Sequence, residues 1–224
     1  MCGRFAQYSG LDTLKKSFQF HEITCDVSPR YNIAPLQEVL AVIQLDGNRL
    51  GKLHWGLVPA WAKDKTMASK LINARAESLT DKPSFRAAFK RRRCLILADG
   101  FYEWTSDGPQ KQPWYFTLSS GRPFAFAGLW ETWKGKTEEL YHSCTIITTA
   151  ADESVRPIHH RMPAILQPAA HAAWLSPQNQ DGDSLLEILS LWREQGFSRH
   201  PVSTRVNSAR NNDPACIVPV KIEN

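Results

Sequence analysis

The second residue of the chain is a cysteine, in the opening run Met1-Cys2-Gly3-Arg4-Phe5. Loss of one residue would leave a thiol and a free amine on adjacent carbons, a pair that no internal cysteine offers. The amine can condense with an aldehyde to an imine, and the sulfur can then close on that carbon to give a five-membered thiazolidine. The same terminus could act as an N-terminal nucleophile, with the α-amine as base for the thiol. An α-amine titrates at about 7.7–8.0 and a cysteine at about 8.5. A neutral amine is therefore available near neutral pH, and the thiol needs only a modest push from nearby arginines to ionise. The plainer reading is that Cys2 opens a buried first strand.

Four further segments set reactive or polar groups among turn-forming and apolar residues. In Leu71-Ile72-Asn73-Ala74-Arg75-Ala76-Glu77, Asn73 offers a donor and an acceptor, and Arg75 a planar fork that suits phosphate. The two share a face if the stretch is extended; an ordinary polar edge fits equally well. In Ala98-Asp99-Gly100-Phe101-Tyr102-Glu103-Trp104, Glu103 stands between two large rings, a setting that raises a carboxyl pKa and fits it for proton transfer. Strand alternation offers the opposite reading, with Glu103 outward and Tyr102 and Trp104 inward. In Ile158-His159-His160-Arg161-Met162-Pro163, adjacent histidines on a strand would face opposite ways, one into a site and one to solvent. Pro157 and Pro163 suggest that this loop is fixed. Last, Arg30-Tyr31-Asn32-Ile33-Ala34-Pro35 and Trp55-Gly56-Leu57-Val58-Pro59-Ala60-Trp61 read as rigid loops whose Pro35 and Trp61 could wedge against unstacked bases. Core packing is the alternative for either tryptophan.

Other chemistries lack their residues. The chain has no Gly-rich phosphate loop, no G-x-S-x-G elbow and no H-E-x-x-H. Its five cysteines (Cys2, Cys25, Cys94, Cys144, Cys216) are widely spaced, and their odd number fits reduced thiols. Without a CxxC pair they argue against zinc, so neither a metal nor a cofactor is expected. The formal net charge of +5 leans towards a polyanionic partner. The run Lys90-Arg91-Arg92-Arg93 sharpens that lean, as do arginines at 4, 30, 75, 156, 161, 199, 205 and 210 beside rings, prolines or asparagines. Arginine mixed with aromatic rings suits single-stranded nucleic acid; a solvated basic face over a tryptophan-rich core is the alternative. No apolar run reaches membrane-spanning length and no apolar leader is visible, so a soluble cytoplasmic monomer without membrane contact is expected.

These groups need elements to position them. Apolar spacing predicts helices over 11–18, 84–91, 169–175 and 184–195, the last on Leu185, Ile188, Leu189 and Trp192. Strands are expected over 39–45 and 49–55 as a hairpin, and over 94–98, 101–105, 114–118, 124–129 and 143–149, with a turn at Ser106-Asp107-Gly108. Extended segments follow at 200–203 and 216–220. Many short strands with few helices predict an α+β fold, a mainly antiparallel barrel or sandwich-like core with peripheral helices. With no linker or repeat in 224 residues, one domain over 1–224 is expected.

Taken together the segments resemble the SOS-response-associated peptidase (SRAP) family, whose members shield abasic sites in single-stranded DNA. The runs MCGRF, RYNIAP, WGLVPAW, INARAE, LADGFYEW, KQPWYF, AGLWE, TIITTAAD, IHHRMP and HPVSTRVN occur in order over nearly the whole chain. The resemblance implies the SRAP fold and an associated self-processing peptidase activity. Met1 would be removed, Cys2 would condense with the aldehyde of an abasic site, and a covalent thiazolidine link would result. It implies catalytic roles for Cys2, Asn73, Glu103 and His159. It also implies phosphate contacts from Arg4, Arg75 and Arg161, and DNA-facing loops at Pro35, Trp61 and Thr149. Nucleoid association would follow from DNA binding. Two positions depart from the family pattern: His160, where some relatives carry an acidic residue, and Ala62, where some carry a second tryptophan. A cysteine peptidase acting in trans and a non-covalent single-strand binding module are the competing readings.

Overall fold

The structure, a computed structural model, describes residues 2–105, 111–136, 138–192 and 196–222. Its strands are β1 (Phe5–Gln7), β2 (Glu22–Ile23), β3 (Arg30–Ile33), β4 (Glu38–Gln44), β5 (Asn48–Trp55), β6 (Asn73–Arg75), β7 (Arg93–Ala98), β8 (Gly100–Trp104), β9 (Pro113–Leu118), β10 (Phe124–Lys134), β11 (Leu140–Ala150), β12 (Arg161–Pro163), β13 (Ile165–Leu166) and β14 (Phe197–Pro201). The α-helices are α1 (Leu11–Ser17), α2 (Pro83–Arg91), α3 (His171–Leu175) and α4 (Gly182–Ser190).

Five strands close on themselves. β11, β10, β7, β4 and β5 pair antiparallel in that order, and β5 returns to β11 in parallel through His54 and Trp55 opposite Ser143 and Cys144. One set of alternate residues, including Val39, Ala41, Leu53, Trp55, Ile96, Phe126 and Ile146, forms the barrel interior. The other set, Leu40, Val42, Leu50, Leu95, Leu97 and Ala127, faces outward beneath the helices. Both faces are therefore dry over most of β4, β7 and β10. That is why these strands read as continuous apolar runs rather than as alternating ones. Gly128 sits on β10 where an added Cβ would lie 2.7 Å from Cys94 Sγ and 2.8 Å from Ile96 Cδ1, so only glycine leaves the interior its filling.

The helices bury one stripe each. On α2, Phe85, Ala88 and Phe89 go inward, and Pro83 occupies the first turn, where its missing N–H costs nothing. Arg93 follows as a buried residue, 2% exposed. Its guanidinium donates to the carbonyls of Phe89 (2.7 Å), Trp174 (2.6 Å), Ser176 (2.5 Å) and Asn179 (2.8 Å). It thus collects orphan carbonyls at the ends of α2 and α3, where a cation also suits the helix dipoles.

The second sheet, in the order β14-β9-β8-β1-β3, caps one end of the barrel. Phe5 meets Trp55 and Phe126 edge-on at 5.3 and 5.4 Å, and Phe101 and Phe116 lie on the same face. Its opposite face, with Ala6, Tyr102 and Tyr115, is covered by Val202, Val206 and Cys216 of the C-terminal segment.

The expected α+β class and antiparallel barrel hold, as do the 39–55 hairpin and the helix carrying Phe85 and Phe89. Several local readings change. Residues 30–33 are strand β3, paired with β1, and not a loop. The last helix stops at Ser190, so Trp192 lies beyond it, and 193–195 fall outside the described residues. The expected turn at 106–108 also falls outside them. The stretch 216–220 is no strand: Cys216 ends a single 3-10 turn, and only Pro219 makes a β-bridge, to Val202.

Candidate active site

Cys2 is placed by what surrounds β1. That strand is held between β3 and β8, and the buried carboxylate of Asp99 accepts from the backbone N–H groups of Tyr8 (2.5 Å) and Ser9 (2.8 Å) just beyond it. Cys2 itself is fully buried. Its carbonyl accepts a hydrogen bond from Asn73 Nδ2 at 2.8 Å, and its sulfur lies 3.9 Å from the Arg4 carbonyl. Burial, and secondarily the charge of Glu103, push the thiol well above the ordinary cysteine range. The expected push from arginines towards thiolate is absent, because the Arg4 guanidinium turns away to Asn32 Oδ1 (2.8 Å) and the Val206 carbonyl (2.6 Å). Ionising this sulfur requires a base instead.

Glu103 is the carboxyl group beside it. It lies on β8, 3% exposed, so the outward-facing reading fails. Alternation explains the burial: Tyr102 and Trp104 turn to the C-terminal segment, while Phe101 and Glu103 share the face towards the barrel. The two flanking rings expected to desolvate it thus point away, and the second sheet's contact with the barrel does so instead. Burial pushes its carboxyl up to about 7, the range in which a group can both take and give a proton near neutral pH.

Asn73 opens β6, which runs parallel to β11 with Asn73 opposite Ile146 and Arg75 opposite Thr148. The indole of the buried Trp55 fixes the entry to this strand by donating to the Ile72 carbonyl at 2.8 Å. As expected for an extended stretch, Asn73 and Arg75 share a face and Ala74 is buried on the other. Asn73 Oδ1 is buried and has no hydrogen-bond partner among the described residues.

The two histidines do not lie on a strand. They precede β12 in a bend, and their rings stack at 4.5 Å with 22° between planes. His159 is half-buried and His160 exposed. His159 Nδ1 is 2.9 Å from both the backbone N and the carbonyl O of Arg161, which fixes the ring. Burial lowers its pKa below the ordinary histidine value. Arg161 is held in turn: its fork meets Glu77 at 2.5 and 3.0 Å, and it donates to the Thr148 carbonyl at 2.6 Å. Strand β11 thereby carries β6, with Asn73, and β12, which directly follows the histidines, against the same segment 146–150.

The remaining residues separate into committed and exposed groups. Arg4 and Arg161 have internal partners, as above. Arg75 is exposed, and its guanidinium makes no hydrogen bond to another described residue. Trp61 is 60% exposed in a turn, Pro35 is half-buried and Thr149 is half-buried on β11. The Pro35 and Trp61 loops are tied together where the Leu36 N–H donates to the Trp55 carbonyl at 2.7 Å. The basic run disperses: Arg92 pairs with Glu131 at 2.7 Å, and Arg93 is buried as described. The sequence reading did not single out Glu77 as the partner of Arg161, nor Asn32, which is buried and donates to the carbonyls of Ser208 (3.0 Å) and Asn211 (2.6 Å). The signal available in the sequence was an asparagine set directly between Tyr31 and Ile33.

A barrel capped by a second sheet, with a near-terminal cysteine held between an asparagine and a carboxyl group, defines a class. The family described as "SOS response associated peptidase (SRAP)" matches residues 1–209, and the chain belongs to it. Among relatives, "Abasic site processing protein YoqW" of Bacillus subtilis (strain 168) is 44% identical over 222 residues, covering 97% of this chain and 99% of the relative. "Abasic site processing protein YedK" of Escherichia coli (strain K12) is 34% identical, covering 98% and 100%. A solved structure of a Bacteroides thetaiotaomicron protein shares the fold, with a TM-score of 0.85 at 23% identity over 98% of this chain and 100% of that one.

Proposed function

We propose that this protein processes abasic sites in single-stranded DNA by forming a covalent link through Cys2 after Met1 is removed. The observation that carries this reading is the placement of Cys2, with its carbonyl held by Asn73 and its thiol beside the buried carboxyl group of Glu103. Family membership and the names of the relatives support it.

Removal of Met1 hydrolyses one peptide bond, consumes one water and creates the Cys2 amine. That amine adds to the open-chain aldehyde of the abasic sugar to give a carbinolamine. The carbinolamine loses water to form an imine, and the thiol adds across the C=N bond, its proton passing to nitrogen. The linking steps release one water, which balances the one consumed in removing Met1, and no oxidant is needed. Glu103 is suited to take the thiol proton and to protonate the departing hydroxyl. His159, with its ring fixed by Arg161, is suited to assist opening of the sugar. Asn73 orients the Cys2 backbone. The exposed Arg75 and Trp61 are the groups available to phosphate and bases.

The test mixes the purified protein with single-stranded DNA carrying one abasic site, read on a denaturing gel with intact mass. A denaturation-resistant band from protein lacking Met1, absent in Cys2→Ala, is expected. An adduct that persists in Cys2→Ala would end this reading. Turnover of peptides by the mature protein without any adduct would favour a peptidase acting in trans.

A further inference from the structure

A cavity lies away from the Cys2 cluster. It measures about 240 Å³ and opens between the end of α1, the turn joining β9 to β10, and the start of α3. Glu103 pairs with Trp114 near one end of β9, whereas the cavity is reached at Leu118, four residues further on. That separates the two by about 13 Å along the strand.

The lining has three chemical parts. Phe18, Leu118 and Phe124 supply a buried apolar floor. Lys16 and Arg122 stand exposed at the rim, and neither is in an ion pair among the described residues. His171 and Trp192 complete the wall, and His171 Nε2 and Trp192 Nε1 are both buried without a hydrogen-bond partner among those residues. The His171 ring stacks on Phe18 at 5.6 Å. Burial lowers its pKa, opposed by a hydrogen bond to the backbone of Leu166. A neutral ring that donates from its other nitrogen presents Nε2 as an acceptor, while the indole N–H is only a donor. Leaving such groups without partners is costly, and an occupant that satisfied them would recover that cost.

An acceptor and a donor above an apolar floor suit the edge of a flat heteroaromatic ring. Two unpaired cations at the mouth suit an anion attached to it. We propose that this cavity is a second, non-covalent site for a nucleotide, with the base inside against Phe18 and His171 and the phosphate at Lys16 and Arg122. The nucleotide comes either free or as one unit of a strand.

The test titrates the full-length protein with deoxyadenosine monophosphate and follows the Trp192 indole N–H signal by NMR, assigned by comparison with Trp192→Phe. A saturable shift is expected, with affinity at least about tenfold weaker in Arg122→Ser and in His171→Phe. Adenosine and inorganic phosphate should each bind more weakly than the intact nucleotide. Arg122→Ser is an exposed change that leaves folding intact, which keeps the test sound if His171→Phe misfolds. An undamaged single-stranded oligonucleotide that causes the same shift, weakened in Arg122→Ser, marks the strand as the source. A mononucleotide shift that persists with that oligonucleotide bound marks free nucleotide. No saturable shift, or undiminished affinity in both variants, overturns the proposal. Linking of abasic DNA through Cys2 should be unchanged in Arg122→Ser, so failure here and failure of the covalent reading are told apart.

Discussion

The run Lys90–Arg93 and the trio Cys2, Asn73 and Glu103 are opposites in what they display and what they do. The first is the densest charge in the chain, yet Arg92 is spent on Glu131 and Arg93 on the carbonyls that end α2 and α3. The second consists of single residues 71 and 30 positions apart in the chain that meet in one buried corner. Cationic charge in a run is cheap on a surface, and the fold uses it where backbone acceptors are orphaned. A buried carboxyl group beside a buried thiol is costly, and such arrangements cluster where chemistry is done.

The sharpest way to break this contrast is Glu103→Gln. It should slow covalent linking by about 10²–10⁴-fold, read as single-turnover adduct formation, since the carboxyl group is the proton carrier. An unchanged rate would make Glu103 as structural as Arg93. Arg93→Met is the mirror experiment. Orphaning several buried carbonyls should cost at least about 3 kcal/mol in denaturant unfolding, while the linking rate per folded molecule stays unchanged.

The third effect is the pH dependence of stability. Glu103 is pushed up to about 7 by burial, so the fold favours its protonated form. Its contribution is fully present below the ordinary carboxylate range and is lost as pH rises through about 7. The unprocessed chain should lose on the order of 3 kcal/mol between about pH 5 and 8 relative to Glu103→Gln, measured as paired melts across that range. Matching curves for the two proteins would place Glu103 in water. The smallest effect compares two exposed arginines. Arg75→Ala should reduce the salt slope of single-strand binding by about 1, and Arg91→Ala should leave it alone. Equal slopes would restore the basic run as a DNA contact.

Much of the frame was legible. Phe85 and Phe89 four apart announced α2, and Asp46-Gly47-Asn48 announced the hairpin between β4 and β5, because both signals are local in the chain. The place of Cys2 directly after Met1 was legible from covalent order alone, whereas its complete burial was not. The fixed loop that Pro157 and Pro163 suggest does hold His159 and His160, but the anchoring of His159 on the Arg161 backbone, and of Arg161 on Glu77 84 residues before it, was not legible locally. Glu103 was read with the right direction of pKa shift but the wrong cause. Its neighbours in sequence do not bury it; its neighbours across the sheet do.

By itself, the sequence determined most of the barrel strands, the helix carrying Phe85 and Phe89, and a cysteine directly after Met1. Those follow from periodicity and covalent order, which need no partner. Only the tertiary structure decided which charges are spent and which are available: Arg4, Arg93 and Arg161 turned inward to partners remote in the chain, and Arg75 left exposed. It also decided that the Cys2 thiol is held protonated rather than coaxed to thiolate. Charge and ionisation are set by what lies within a few ångströms in space, and in a fold dominated by long-range strand pairing those neighbours come from elsewhere in the chain.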